Sequence, residues 1–242
     1  MPDAIFEHPR LVAIYDALDS DRSDLDVYAA MVEEFGARRV LDLGCGTGTL
    51  ALLLARRGVE VLGVDPAGGS LTIAKAKPGA ERVQWIHGDA LTLPPVRVDL
   101  ATMTGNVAQA IADPQVWDQT LRGVHDALRP GGRLVFESRD PANRAWQEWN
   151  RAASERTTEI PHTGAVQSWV EVTDVDGPLV TFRATWVFAA DGAVLTSEST
   201  LRFRQREEIE ADLAAHGYSV DEVRDAPDRP AREFVFIARR PD

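Results

Sequence analysis

A single cysteine, Cys45, is all the thiol chemistry in the chain, so an internal disulfide framework and a multi-cysteine metal site are both excluded. Long apolar runs are missing too. The longest, such as residues 50–55, fall far short of the ~20 residues that a membrane-crossing helix needs. The first residues, Met1-Pro2-Asp3-Ala4-Ile5, have neither the basic start nor the apolar run of a secretory signal, so the expectation is a cytoplasmic protein. Basic charge is outweighed, with 26 Lys and Arg against 38 Asp and Glu. The formal net charge is -12, and the basic clusters Arg56-Arg57 and Arg239-Arg240 are small and scattered. A field of that sign repels phosphate backbones, so no nucleic-acid partner is expected. No Gly-Lys-Ser/Thr tripeptide occurs, which removes the Walker phosphate loop.

What is present is an ordinary globular composition, 44% hydrophobic and 26% charged over 242 residues, enough for one large domain with a modest insertion. Helical patterns cover 9–18 and 25–35 within an N-terminal helical segment, 1–36. Strand and helix patterns then alternate, with strands at 39–43, 59–64, 83–87, 98–103 and 133–137 and helices at 47–57, 70–77 and 114–128. That alternation implies a parallel sheet covered on both faces. After Glu137 the pattern changes. Residues 141–153 read as a helix, and 166–175, 179–189 and 194–203 alternate apolar with polar, joined at Asp176-Gly177-Pro178 and Asp191-Gly192. A helix at 207–216 and strands at 218–224 and 233–238 close the chain. The reading is a single α/β domain, 1–242, doubly wound, with a helix plus antiparallel β insertion at 141–205 after its fifth strand.

The run Val40-Leu41-Asp42-Leu43-Gly44-Cys45-Gly46-Thr47-Gly48 is a strand ending in an acid, then three glycines on alternate positions leading into a helix. Glycines let the backbone bend sharply and approach a ligand that a β-carbon would push away. A dinucleotide fingerprint wants its third glycine one position beyond Gly48, where Thr49 stands, so a cofactor without a pyrophosphate fits better. Asp42 is placed to hold a cationic amino group, directly or through water. Asp65 ends the second strand, where a carboxylate accepts from ribose hydroxyls. Asp89, in Gly88-Asp89-Ala90, can accept from an adenine amine; helix capping or loop solvation is an equal reading of that residue alone.

These pieces, with Asp99-Leu100-Ala101 and Leu128-Arg129-Pro130-Gly131-Gly132-Arg133-Leu134, resemble the class I S-adenosylmethionine-dependent methyltransferases over roughly residues 39–137. The resemblance implies a mostly parallel seven-stranded sheet with its last strand antiparallel, and S-adenosylmethionine as cofactor. It implies that Asp42 and the turn of Gly44, Cys45, Gly46 and Gly48 hold the methionine part, Asp65 with Pro66 the ribose, and Asp89 with Ala90 the adenine. Thr104-Gly105-Asn106-Val107 would face the methyl group, with Thr104 and Asn106 as the contacts. Tyr15 is similar to an aromatic that covers the cofactor from the N-terminal helices, though it reads equally as a packed helix residue. In this family an antiparallel layer after strand five serves as a lid or a dimer contact, so a homodimer is one expectation.

The reaction expected is N- or O-methylation of a small molecule by in-line displacement, for which alignment matters most and a base is optional for an amine. No base announces itself among the histidines. For the acceptor the candidates are Arg139, Trp146 and Trp149 (three apart on one helical face), and His162. Arg139 could grip a carboxylate or phosphate or merely pair with Glu137 or Asp140. Trp169 and Trp186 read as core beneath the antiparallel sheet or pocket wall, core for Trp186. No metal is expected. Two other classes stay open: a binding module without turnover, and a nicotinamide-dependent oxidoreductase, against which Thr49 argues.

Overall fold

The structure, a computed structural model, describes residues 2–242. Strands β1 (Arg39–Leu43), β2 (Glu60–Asp65), β3 (Val83–His87), β4 (Val98–Met103) and β5 (Leu128–Arg139) run parallel. With β10 (Ser219–Asp225) and β11 (Glu233–Arg239) they form a seven-stranded sheet in the order β10-β11-β5-β4-β1-β2-β3. The last strand, β11, runs antiparallel to both neighbours. The interior strands carry near-continuous apolar runs because both faces are covered. On one face lie α7 (Pro114–Ala127) and α9 (Arg206–Ala215), whose Trp117, Leu121, Val124 and Leu213 pack against Phe136 and Phe236. On the other lie α3 (Asp24–Glu34) and α4 (Thr49–Arg56), placing Leu25, Val32, Leu50 and Leu54 against Val61 and Val235. Each fully buried side chain of this size contributes ~1.5–3 kcal/mol, so the sheet edges that carry chemistry sit on a rigid base.

The insertion is a second, antiparallel sheet of β6 (Arg156–Ile160), β7 (Gly164–Asp176), β8 (Leu179–Phe188) and β9 (Val194–Arg202). It has four strands where the alternation pointed to three. The extra one, β6, reads Arg-Thr-Thr-Glu-Ile and is largely exposed at the sheet edge, so its pattern carries no apolar face. The helix expected at 141–153 does not form. The segment is two 3-10 turns followed by α8 (Arg151–Ser154), with Arg144 at φ 44° breaking any helical continuity. Trp146 and Trp149 draw this segment down onto Phe203 and Phe182, at ring separations of 4.5 and 5.0 Å. Strand β5 also starts earlier than expected, at Leu128, because the Arg129-Pro130-Gly131-Gly132 stretch bulges, with Gly131 at φ 76°, between the Val98–Leu128 and Leu100–Arg133 pairs with β4.

The N-terminal helices α1 (Ala4–Glu7) and α2 (Pro9–Leu18) join the two sheets. Ile5, Leu11 and Ile14 share a core with Ile160, Val166, Trp186 and Phe188 of the insertion. Toward the main sheet, both Glu7 carboxylate oxygens accept from Gly68 and Gly69 N–H, at 2.8 and 3.0 Å. Those amides open α5 (Gly68–Ala76), so an acidic side chain caps a helix N-terminus. The result is a roof over the carboxyl edge of β1, β2 and β4.

Candidate active site

The turn after β1 is shaped by positive φ at Gly44 (74°), Gly46 (53°) and Gly48 (80°). A β-carbon on Gly44 would lie 2.4 Å from Val107, whereas one on Gly46 would meet nothing within 4 Å. The outer glycines are thus demanded by packing, and the middle one faces open space. That space is a cavity of about 330 Å³ lined by Asp42, Gly44, Cys45, Gly46, Asp65 and Tyr15, with Arg22, Pro66, Thr104 and Gly105 also on its wall. Gly48 is not on this wall; its missing β-carbon makes room for Trp85.

Asp42 is 1% exposed, and its Oδ1 accepts from the Thr102 hydroxyl at 3.0 Å. Its Oδ2 is buried with no hydrogen-bond partner. Burial pushes its pKa up to about 7, against the Thr102 bond and with the Asp65 charge adding to the rise. A buried carboxylate oxygen without a donor is costly unless a cation or donor arrives. Asp65 differs. Its Oδ2 accepts from Gly46 N–H at 2.7 Å and its Oδ1 from Ala67 N–H at 2.8 Å, which fix its orientation and leave a lone pair on each oxygen. Burial raises its pKa as well, opposed by those two amide bonds. The Cys45 thiol is buried, which pushes its pKa well above the ordinary value, so it serves as a small neutral wall residue.

Asp89 and Ala90 line an adjoining cavity of about 520 Å³, which shares Gly44, Pro66, Val107 and Ile111 with the first. Asp89 Oδ1 already caps its own turn, accepting from Leu91 N–H at 3.0 Å, while Oδ2 has no partner among the described residues. A third chamber, of about 590 Å³, opens under the insertion and shares Tyr15, Arg22 and Gly105 with the first cavity. Asn106 lines this chamber, not the cavity at the glycine turn where Thr104 sits. Arg139 lines it too.

The other acceptor candidates lie elsewhere. Trp146 and Trp149 pack on Phe203 and Phe182 and line none of these three cavities. His162 sits exposed at the β6–β7 turn, at φ 65°. The chamber's tryptophans are Trp169 and Trp186. Trp186 also belongs to the core of the roof, so it serves both packing and wall. Sequence reasoning also passed over Arg22, Tyr28 and the role of Glu137. Arg22, between α2 and α3, is paired with Asp24 at 3.1 Å. Glu137, 3% exposed at the end of β5, accepts from Asn106 N–H at 2.6 Å and from the Tyr28 hydroxyl. Burial pushes its pKa up to about 7. It clamps the Gly105-Asn106 turn that separates the first cavity from the chamber. Only its position at a strand's carboxyl end was visible beforehand.

Comparison with known proteins places this arrangement. Residues 40–132 match the family described as methyltransferase domain. A demethylmenaquinone methyltransferase of Thermus thermophilus is 31% identical over 192 residues, covering 77% of each chain. The chain belongs to the class I S-adenosylmethionine-dependent methyltransferases. A ubiquinone biosynthesis O-methyltransferase of Ruegeria pomeroyi is 36% identical over 105 residues, 42% of this chain and 41% of that relative, so the match spans less than half of that relative's length. The fold of an amino pentose methyltransferase from Micromonospora echinaspora, solved with S-adenosylmethionine bound, superposes with a TM-score of 0.71 at 20% identity, covering 94% and 95% of the two chains. The cofactor of this methyltransferase is S-adenosylmethionine, and the donor set suits it. The unpartnered Asp42 oxygen matches a cationic ammonium, and the open space at Gly46 admits a ligand against bare backbone. No described helix is long and apolar enough to cross a membrane.

Proposed function

We propose that this methyltransferase transfers a methyl group to a small-molecule acceptor, with an amine nitrogen better supported than a hydroxyl. The observation that carries the reading is the junction of the two cavities at Tyr15, Arg22 and Gly105, one cavity holding the orphan Asp42 oxygen and the other offering a separate chamber. When bound, S-adenosylmethionine supplies a methyl carbon already activated by its sulfonium. Asp42 takes the ammonium of the methionine part and Arg22 its carboxylate, as an ion pair at a half-buried guanidinium. Asp65 accepts from the ribose hydroxyls, and Asp89 with Ala90 borders the adenine. Tyr15 and the roof of N-terminal helices keep water from the junction.

In the chamber, Asn106 Oδ1 is buried without a partner, so it is placed to accept an N–H or O–H of the acceptor. Glu137, held by Tyr28, fixes the backbone that presents it. No histidine lines the chamber among the described residues. A neutral amine suits such a site, because its lone pair attacks without prior loss of a proton. The test is release of S-adenosylhomocysteine from S-adenosylmethionine against a panel of small amines and matched alcohols. Turnover with amines supports the reading. Tight cofactor binding with no turnover on either set makes the chain a binding module instead, and turnover with alcohols alone shifts the assignment to oxygen.

A further inference from the structure

We propose that the acceptor carries an anionic group, a carboxylate or a phosphate, held by Arg139 and Arg229 at the sheet-edge wall of the 590 Å³ chamber. This rests on reading that chamber as the acceptor site. Its size is within the range of small-molecule sites.

The arrangement follows from the reversed last strand. Antiparallel pairing of β11 with β5 sets Glu233 opposite Arg139. Arg229, from the loop entering β11, reaches the same carboxylate, so Glu233 Oε1 lies 2.7 Å from Arg229 Nη1 and 3.4 Å from Arg139 Nε. Arg229 also pairs with Asp228 at 3.5 Å, so it has two carboxylates of its own, whereas Arg139 has only the longer contact to Glu233. Glu233 is itself buried and is not on the chamber wall, whereas both arginines are. Arg139 spends one further donor, Nη1 to the Gln109 carbonyl oxygen at 3.0 Å, and its Nη2 has no partner among the described residues. A guanidinium carries five N–H donors in a planar fork, so Arg139 retains the edge that grips an anion bidentately. Burial, the main cause, lowers its pKa, opposed by the nearby Glu233 and Glu137 carboxylates.

Arg139 also lies over the Trp149 ring at 5.5 Å, and its contact to Glu233 is the longer of the two that carboxylate makes, yet none of these contacts occupies its Nη2. The acids on the chamber wall are engaged by other groups. Asp24 is committed to Arg22, and Glu155 to Arg151 and Gln167. The Asp19 charge acts on Tyr15 and Arg22. Asn106 gives an independent pointer to a ligand. It is 7% exposed, its Oδ1 is unpartnered, and it lines the same chamber. Ile5, Leu18, Ala184 and Trp186 provide an apolar wall for the body of the molecule. The chamber therefore selects an acceptor with an apolar body, an N–H near Asn106 and an anionic end on the arginines.

Calorimetry on protein saturated with S-adenosylhomocysteine tests this with phenyl phosphate, benzoate and neutral phenol as probes. At least one anionic probe should bind ten-fold or more tightly than phenol, and which of the two binds better distinguishes phosphate from carboxylate. Arg139→Gln and Arg229→Gln should each weaken that probe about ten-fold or more while leaving phenol and S-adenosylhomocysteine unchanged, which also shows that the variants fold. Equal binding of phenol and the anions, or anion binding unaffected by both substitutions, overturns the proposal. So does displacement of S-adenosylhomocysteine by the anion, which would put the probe in the cofactor cavity. Failure of S-adenosylhomocysteine itself to bind would sink the methyltransferase reading and this proposal with it.

Discussion

Asp42→Asn should stabilise the cofactor-free protein at alkaline pH while weakening its hold on S-adenosylmethionine. The Asp42 carboxyl is raised from its ordinary 3.8 to about 7 by burial. A group held protonated in the fold contributes stability below the unfolded pKa, and that stability is lost as pH rises through the folded value. For Asp42 the loss runs from about pH 4 to above pH 7. A displacement of that size, at ~1.4 kcal/mol per unit, corresponds to ~4 kcal/mol at most. Asparagine removes the charge but brings a buried amide short of an acceptor, which costs ~1–3 kcal/mol. The net gain at pH 8 is ~2 kcal/mol, or a rise of ~4–8 °C in melting temperature for a chain of this size. Loss of the charged partner should cost ~2 kcal/mol or more in cofactor affinity, about thirty-fold. The wild-type affinity should also fall about ten-fold per unit below pH 7, because a proton must leave Asp42 before an ammonium can pair with it, and the variant should lack that slope. Thermal melts and calorimetry across pH 5–9 read both effects. A variant that melts lower at pH 8 and binds the cofactor as before would leave Asp42 as an ordinary structural partner of Thr102.

Gly48→Ala combines a positive φ with a β-carbon 2.4 Å from the Trp85 ring, so urea denaturation should show a loss of ~2–4 kcal/mol. Asp65→Ala removes the ribose acceptor together with the bonds from Gly46 and Ala67, and calorimetry should detect no cofactor binding. Tyr28→Phe strips the donor from Glu137 Oε2 and should destabilise by ~1–3 kcal/mol, whereas Glu137→Gln keeps the oxygen that accepts from Asn106 N–H and turns an amide donor onto the Tyr28 oxygen, so its stability relative to wild type should rise as pH climbs from 4.5 to about 7 and level off above.

The parallel sheet was legible because its strands are short apolar runs closed by turn residues, and because glycine punctuation is local. Asp42, Asp65 and Asp89 could be placed on one edge from strand order alone. What escaped depends on contacts between segments distant in the chain. The run at 141–153 has a helix-compatible pattern, yet Trp146 and Trp149 gain more by packing on Phe203 and Phe182 than a continuous helix would allow. Strand β6 is held by pairing with β7, and its own five residues carry no apolar alternation. The Tyr28–Glu137 pair spans 109 positions, and the sharing of Glu233 by Arg139 and Arg229 exists only once β11 is known to lie beside β5. Asn106, expected at the cofactor from its place after β4, lines the chamber under the insertion, with φ at 62°.

Titrating the purified protein with S-adenosylmethionine, S-adenosylhomocysteine and NAD in a calorimeter shows whether the glycine turn with Asp42 and Asp65 is built for S-adenosylmethionine. One-to-one binding of the first two and none of NAD is expected. Binding of NAD with neither of the others would contradict it.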